Sequence, residues 1–157
     1  MIQKHVWPLL VSIVLLHGIL NAEEAPFVVR LSPEHQIVVR GETPKFTVTV
    51  EARSHVRMLR LDRRSDLNDN YAELRVTRKG KRVETSVAIS DPGPVRDDVD
   101  YAELEPGQTM TWTENGFPQA LDELPKGTYT VVERVRAGWD APPVESNTAT
   151  YEVREKK

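Results

Sequence analysis

The chain has 157 residues and no cysteine, with 29% charged residues, 39% hydrophobic residues and a formal net charge of −3. Without a thiol there is no disulfide framework, zinc–thiolate site, iron–sulfur cluster, thiol nucleophile or lipid-modified N-terminal cysteine. The mild acidity argues against a general nucleic-acid binder, which needs a basic field to neutralise phosphates.

Residues 1–22 read as a secretory signal peptide. Lys4 gives a short positive start, residues 9–20 carry no charge, and Leu20-Asn21-Ala22 places a small residue at the expected cut. A membrane span needs roughly 18–20 apolar residues, so this run is short for one. Cleavage leaves residues 23–157 as one exported domain, periplasmic or extracellular and not inserted in the membrane, with 20 basic and 24 acidic side chains. A domain of that size in an oxidising compartment, with no disulfide, must rely on packing and backbone pairing. That favours a sheet-rich sandwich.

The expected strands follow in chain order. Short candidates lie at residues 27–31 and 36–39. Phe46, Val48 and Val50 then alternate with Thr47, Thr49 and Glu51, the period of a strand with one apolar face. After a short candidate at 56–61, residues 71–78 repeat the alternation through Leu74 and Val76. Lys79-Gly80-Lys81 reads as a hairpin turn into a strand at 82–90 carrying Val83, Val87 and Ile89. Residues 109–114 offer Met110 and Trp112, residues 127–136 are rich in β-branched side chains, and residues 148–153 close the series with Ala149, Tyr151 and Val153. Proline, glycine and asparagine turns separate these runs, and no window has helical spacing. The expectation is an all-β, immunoglobulin-like sandwich of about seven to nine antiparallel strands.

The second half carries a more specific resemblance. Leu104-Glu105-Pro106-Gly107-Gln108-Thr109, followed by Met110-Thr111-Trp112, resembles the strand entry of secreted bacterial immunoglobulin-like and fibronectin-III-like β-sandwich modules. Leu124-Pro125-Lys126-Gly127-Thr128-Tyr129 resembles their tyrosine-corner segment, and Ser146-Asn147-Thr148 leading to Tyr151 resembles their last strand. The resemblance implies a structural role for Tyr129, whose ring would fill the core edge while its hydroxyl bonds to upstream backbone. Trp112, alternating with Thr111 and Thr113, belongs in the core. The Pro-Gly … Gly-x-Tyr skeleton is also similar to proteinase-inhibitor domains of the Bacillus intracellular type, which implies an alternative function as an inhibitor. Fold resemblance alone does not specify function.

Catalytic signatures are missing from the sequence. The part after the leader has two histidines, His35 and His55, no G-x-S-x-G and no H-E-x-x-H, and its glycines are scattered one to a turn. An enzyme is not expected.

No cofactor is expected either, calcium being the one candidate. Asp66-Leu67-Asn68-Asp69-Asn70 resembles the D-x-N-D-N calcium linker of cadherins, and calcium takes six to eight such oxygen donors. Arg63 and Arg64 beside it oppose a cation, and Asp and Asn are ordinary turn residues. Asp97, Asp98 and Asp100 form a second acidic group, read either as a solvated loop or as a surface calcium site.

Two features point to binding. Residues 53–82 hold ten basic and four acidic side chains, whereas residues 84–124 hold ten acidic side chains against Arg96 alone. In space this either makes a charge dipole that orients partners, or is cancelled pairwise, with Arg57, Arg60 and Arg75 facing Glu103, Glu105 and Glu114. Between the last two strands, Trp139, Asp140, Pro142 and Pro143 form a candidate binding tip, the competing arrangement being Trp139 folded over the core edge. The expected function is an exported, non-catalytic binding or accessory module contacting protein or cell-envelope material. The alternatives are a proteinase inhibitor presenting residues 138–143, or a calcium-stabilised adhesive or structural module.

Overall fold

A computed structural model describes residues 24–62, 71–83, 100–115 and 124–156. Every regular element among them is a strand. The expected leader, residues 66–70, residues 97 and 98, and most of the expected strand at 82–90 lie outside the described residues.

One sheet contains β1 (Phe27–Pro33), β3 (Lys45–Ala52) and β8 (Thr109–Asn115), in the order β1-β3-β8 with antiparallel pairing throughout. The second contains β2 (Ile37–Val39), β11 (Ala149–Arg154), β9 (Gly127–Val135), β5 (Ala72–Arg78) and β6 (Lys81–Arg82), in the order β2-β11-β9-β5-β6. The short β10 (Val144–Glu145) adds to β9. A separate two-stranded ribbon pairs β4 (Val56–Leu59) with β7 (Tyr101–Leu104).

The alternation seen in the sequence sets which face of each strand is buried. On β3, Phe46, Val48 and Val50 are fully buried, with Val48 in register with both Leu31 and Trp112. On β9 the inward positions are Tyr129, Val131, Glu133 and Val135. Aromatic rings tie the two sheets together. Phe46 meets Tyr151 edge-on at 5.5 Å between centroids, and Tyr151 stacks on Tyr129 at 5.2 Å. Such contacts add specificity to the apolar burial that drives the packing.

This is the expected all-β, immunoglobulin-like sandwich: the first described strand, β1, is followed by β2 in the other sheet, and the long strand β9 sits between β11 and β5. Two details differ from the sequence expectation. Eleven strands are described, because short strands such as β7 and β10, two to four residues long, carry too little alternation to be read as strands on their own. One pair is parallel: Pro33, which has no N–H to donate, ends β1, and the chain continues as β2 alongside β11 in the other sheet.

Left-handed backbone shapes several of the turns, two of which frame the β5–β6 hairpin and the entry to β8. Lys79 (φ 50°) and Gly80 (φ 74°) make the two-residue β5–β6 hairpin, where both central residues need positive φ. At Pro106-Gly107, the Gln108 N–H donates to the Glu105 carbonyl at 2.9 Å and Gly107 takes φ 85°.

Candidate functional site

The candidate site lies at the end of the sandwich where β9 passes through residues 136–143 into β10. Trp139 is 67% exposed, and among the described residues the only other exposed large apolar side chain is Ile37. The loop beneath Trp139 is braced from within. The Ala141 N–H donates to the Gly138 carbonyl at 3.1 Å, Arg136 Nη1 donates to the Ala141 carbonyl at 2.9 Å, and the Arg136 N–H donates to the Tyr71 carbonyl at 2.7 Å. The tip is thereby held on Tyr71, the residue before β5, as well as on its own hairpin.

The Trp139 ring meets Tyr71 edge-on, 6.3 Å between centroids. Tyr71 is buried, and its side chain hydrogen-bonds that of Tyr101 at the start of β7. Burial first, and the Tyr101 contact second, push the Tyr71 phenol above its ordinary value. The Arg57 guanidinium lies over the Tyr101 ring, 4.4 Å from its centroid, and its Nε is 3.4 Å from Glu103. Trp139, Tyr71, Tyr101 and Arg57 thus form one line of contacts from the β9–β10 hairpin to the β4–β7 ribbon. Trp, Tyr and Arg are the side chains that most often carry interface energy.

The rim of this line is polar. His55 sits between two carboxylates, with Nε2 3.2 Å from Glu103 and Nδ1 3.0 Å from Glu105, and all three side chains are exposed. Asp140 and Pro142 are exposed, and Pro143 is half-buried. The four predicted tip residues therefore share one loop, and Trp139 projects outward while touching Tyr71 with its ring.

The remaining predicted residues divide clearly. Tyr129 forms the expected corner: its hydroxyl donates to the Pro125 carbonyl at 2.6 Å, and its ring is buried. Trp112 is buried, and its indole N–H donates to Glu114 Oε2 at 3.1 Å. Asp66, Asn68, Asp69, Asn70, Asp97 and Asp98 lie outside the described residues. Asp100 departs from the expected solvated loop. It is 5% exposed, and its carbonyl accepts the Arg60 N–H at 2.6 Å, extending the β4–β7 ribbon by one bond. Among the described residues no group of three or more histidine, aspartate or glutamate side chains is arranged to hold a metal ion.

The charge sorting along the chain is partly cancelled in space. Arg57 meets Glu103 across the β4–β7 ladder, as one of the two arrangements required. Arg60 instead pairs with Asp62 at 2.9 Å and Arg75 with Glu73 at 3.2 Å, both partners within the basic segment. Glu73 also contacts Arg82 at 2.9 Å and Arg134 at 3.4 Å.

Two residues escaped the sequence reading. Asn147 bridges the two sheets through paired hydrogen bonds to the Leu31 backbone. Glu133 lies fully buried in β9. The second was detectable, since it shares the parity of Tyr129, Val131 and Val135 and alternation alone points it inward.

No helix among the described residues is long and apolar enough to cross a membrane. No family model matches the chain, and no curated protein matches it. Several solved structures are coarsely similar. The CARDB domain of the PF1109 protein from Pyrococcus furiosus is 15% identical, covering 82% of this chain and 91% of that one at a TM-score of 0.39. Spo0M, a sporulation control protein from Bacillus subtilis, is 12% identical, covering 82% of this chain and 49% of that one at a TM-score of 0.45. A β-glucosidase from Listeria innocua is 13% identical, covering 83% of this chain but 16% of that one at a TM-score of 0.42. Similarity this distant concerns architecture and assigns no activity.

Proposed function

We propose that the protein is an exported, non-catalytic binding module that docks a protein or cell-envelope component through the sandwich end bearing Trp139. The observation that carries this reading is Trp139 itself, 67% exposed yet seated edge-on against Tyr71. A large ring left mostly in water on a braced loop contributes little to the core, which is the character of a recognition anchor. The adjoining Tyr101–Arg57 stack and the His55–Glu103–Glu105 rim supply directional polar contacts around it.

The inhibitor reading rests on the same loop. It requires an extended segment to enter a protease cleft, whereas the Ala141-to-Gly138 hydrogen bond closes these residues into a turn. The turn favours docking by a rigid tip.

The test is capture from envelope extract with the wild-type protein, Trp139→Ala and Ile37→Ala, at low and high salt. The docking reading expects one partner retained by wild type and Ile37→Ala and lost with Trp139→Ala. Equal capture by all three proteins removes it.

A further inference from the structure

Glu133 is 0% exposed, at an inward position of the central strand β9. Among the described residues neither of its carboxyl oxygens has a hydrogen-bond partner. The inward side chains of β1 (Phe27, Val29, Leu31) and β3 (Phe46, Val48, Val50) offer it no polar group. From β8 the inward Met110 and Trp112 are followed by Glu114, and from β5 the acidic group bearing on it is Glu73. The β11 side contributes Tyr151, whose hydroxyl is itself buried and, among the described residues, unpartnered. The basic neighbour on its own strand, Arg134, is engaged with Glu73 and with Glu145 on β10.

The backbone of the same residue carries the hinge of the Trp139 hairpin. The Glu133 N–H donates to Ser146 Oγ at 2.9 Å, and the Ser146 N–H donates to the Glu133 carbonyl at 2.8 Å. Beyond these bonds the ladder continues through Arg134–Glu145 and Val135–Val144 into the loop.

We propose that Glu133 is a proton-operated latch, neutral while the sandwich is closed, whose ionisation frees the β9–β10 hairpin and its Trp139 loop. An unpaired carboxylate in an apolar interior costs more than a domain's whole margin of stability, while the protonated acid costs far less. Ionisation therefore drives the side chain toward water, and the strand cannot turn it outward without breaking the two Ser146 bonds and shifting its place opposite Leu74 on β5. Desolvation, with Glu114 and Glu73 adding repulsion, raises the acid well above the ordinary carboxylate range. The sign follows from linkage. The stabilisation is complete below the unfolded carboxyl's value, about 4.3, and is lost as pH rises toward the folded value. Within that window the equilibrium shifts toward the open form by up to about tenfold per pH unit.

The latch is independent of what Trp139 binds, and its test needs no partner. Carbon-13 NMR follows the Glu133 carboxyl of the full chain from pH 4 to 9 while hydrogen exchange at the Glu133 and Ser146 amides measures local opening. A carboxyl that titrates well above its unfolded value, with opening constants that climb with pH in wild type and stay level in Glu133→Gln, is the expected result. A carboxyl that ionises near 4.3 without added opening, or an equal climb in Glu133→Gln, overturns the proposal. Should Glu133→Gln not fold, the wild-type titration alone still decides it.

Discussion

Asn147 serves Leu31 as a neighbouring strand would. The Leu31 N–H donates to Asn147 Oδ1 at 2.9 Å, and Asn147 Nδ2 donates to the Leu31 carbonyl at 3.0 Å. Leu31 is buried in β1 of the first sheet, whereas Asn147 lies in the connection from β10 to β11 of the second. One side-chain amide thus satisfies both backbone groups on the edge of β1 that β3 does not reach. Asn147→Ala leaves that donor and acceptor unmatched, at a cost of roughly 2 kcal/mol. Asn147→Asp keeps the acceptor alone and falls between. Urea unfolding with unchanged m-values measures both, and wild-type stability in Asn147→Ala would refute the role.

The Tyr129 corner divides into two separable contributions. Tyr129→Phe keeps the ring and removes the hydroxyl with its bond to the Pro125 carbonyl, a loss of about 1 kcal/mol. Tyr129→Ala also removes the ring stacked on Tyr151 and opens a cavity, a loss of about 3–5 kcal/mol. Thermal unfolding of the two variants separates hydroxyl from ring.

These two residues mark what the sequence made legible. The Tyr129 corner was visible because its partner lies four residues upstream, within one turn segment. The sandwich was visible for a related reason: period-two alternation is local, and Phe46, Val48 and Val50 declare their face without knowledge of a neighbour. Asn147 and Leu31 are 116 residues apart, and nothing in either segment names the other. The Trp139 tip was legible as a loop, but its seating on Tyr71 depends on β5 and β9 being neighbours in register, Ala72 opposite Val135. Of the β4–β7 ribbon, the strand at 56–59 and the facing of Arg57 and Glu103 were legible, but β7 itself and its register were not, because pairing follows from how the chain folds back and charge composition carries no register.

Trp139 and Trp112 should behave as opposites. Trp139→Ala removes an exposed ring whose main contact is Tyr71, and stability is expected to change by less than about 1 kcal/mol. Trp112→Ala empties a core position between the sheets and costs about 3–5 kcal/mol. In the domain of residues 23–157, whose tryptophans are Trp112 and Trp139, the Trp139→Ala protein retains a blue-shifted emission poorly quenched by acrylamide, from Trp112. A large loss of stability in Trp139→Ala would show that the ring belongs to the fold and not to a partner.

Glu73 gives the acid limb of the pH profile. Partial burial works against its ionised form, but the hydrogen bond and charge of Arg75, with Arg82 and Arg134, hold it below the ordinary value. A depressed carboxyl contributes stability above its unfolded value, and that contribution is lost as pH falls through the folded value. Glu73→Gln should therefore flatten the loss of stability below about pH 4.5, the region in which carboxylates titrate. The half-exposed Arg partners keep the effect small, and added salt shrinks it further. An acid limb that is identical in wild type and Glu73→Gln assigns it to other carboxylates.

Replacing Glu133 with an apolar residue of similar size separates stability from regulation. Leucine fits among Val131, Val135 and the facing aliphatic side chains, and it brings no polar atom into a place where neither carboxyl oxygen finds a partner. Removing that desolvation cost should stabilise the protein at pH 7 by about 2 kcal/mol, a gain that grows with rising pH and shrinks in acid. Glu133→Gln keeps the polar burden without the proton, so its stability at pH 7 should stay below that of Glu133→Leu. The two variants should agree in lacking the fall in stability with rising pH that wild type owes to Glu133. A Glu133→Leu protein less stable than wild type across that range would mean that the carboxyl finds favourable partners in solution, and that the strand keeps it for packing or polarity and not for its proton.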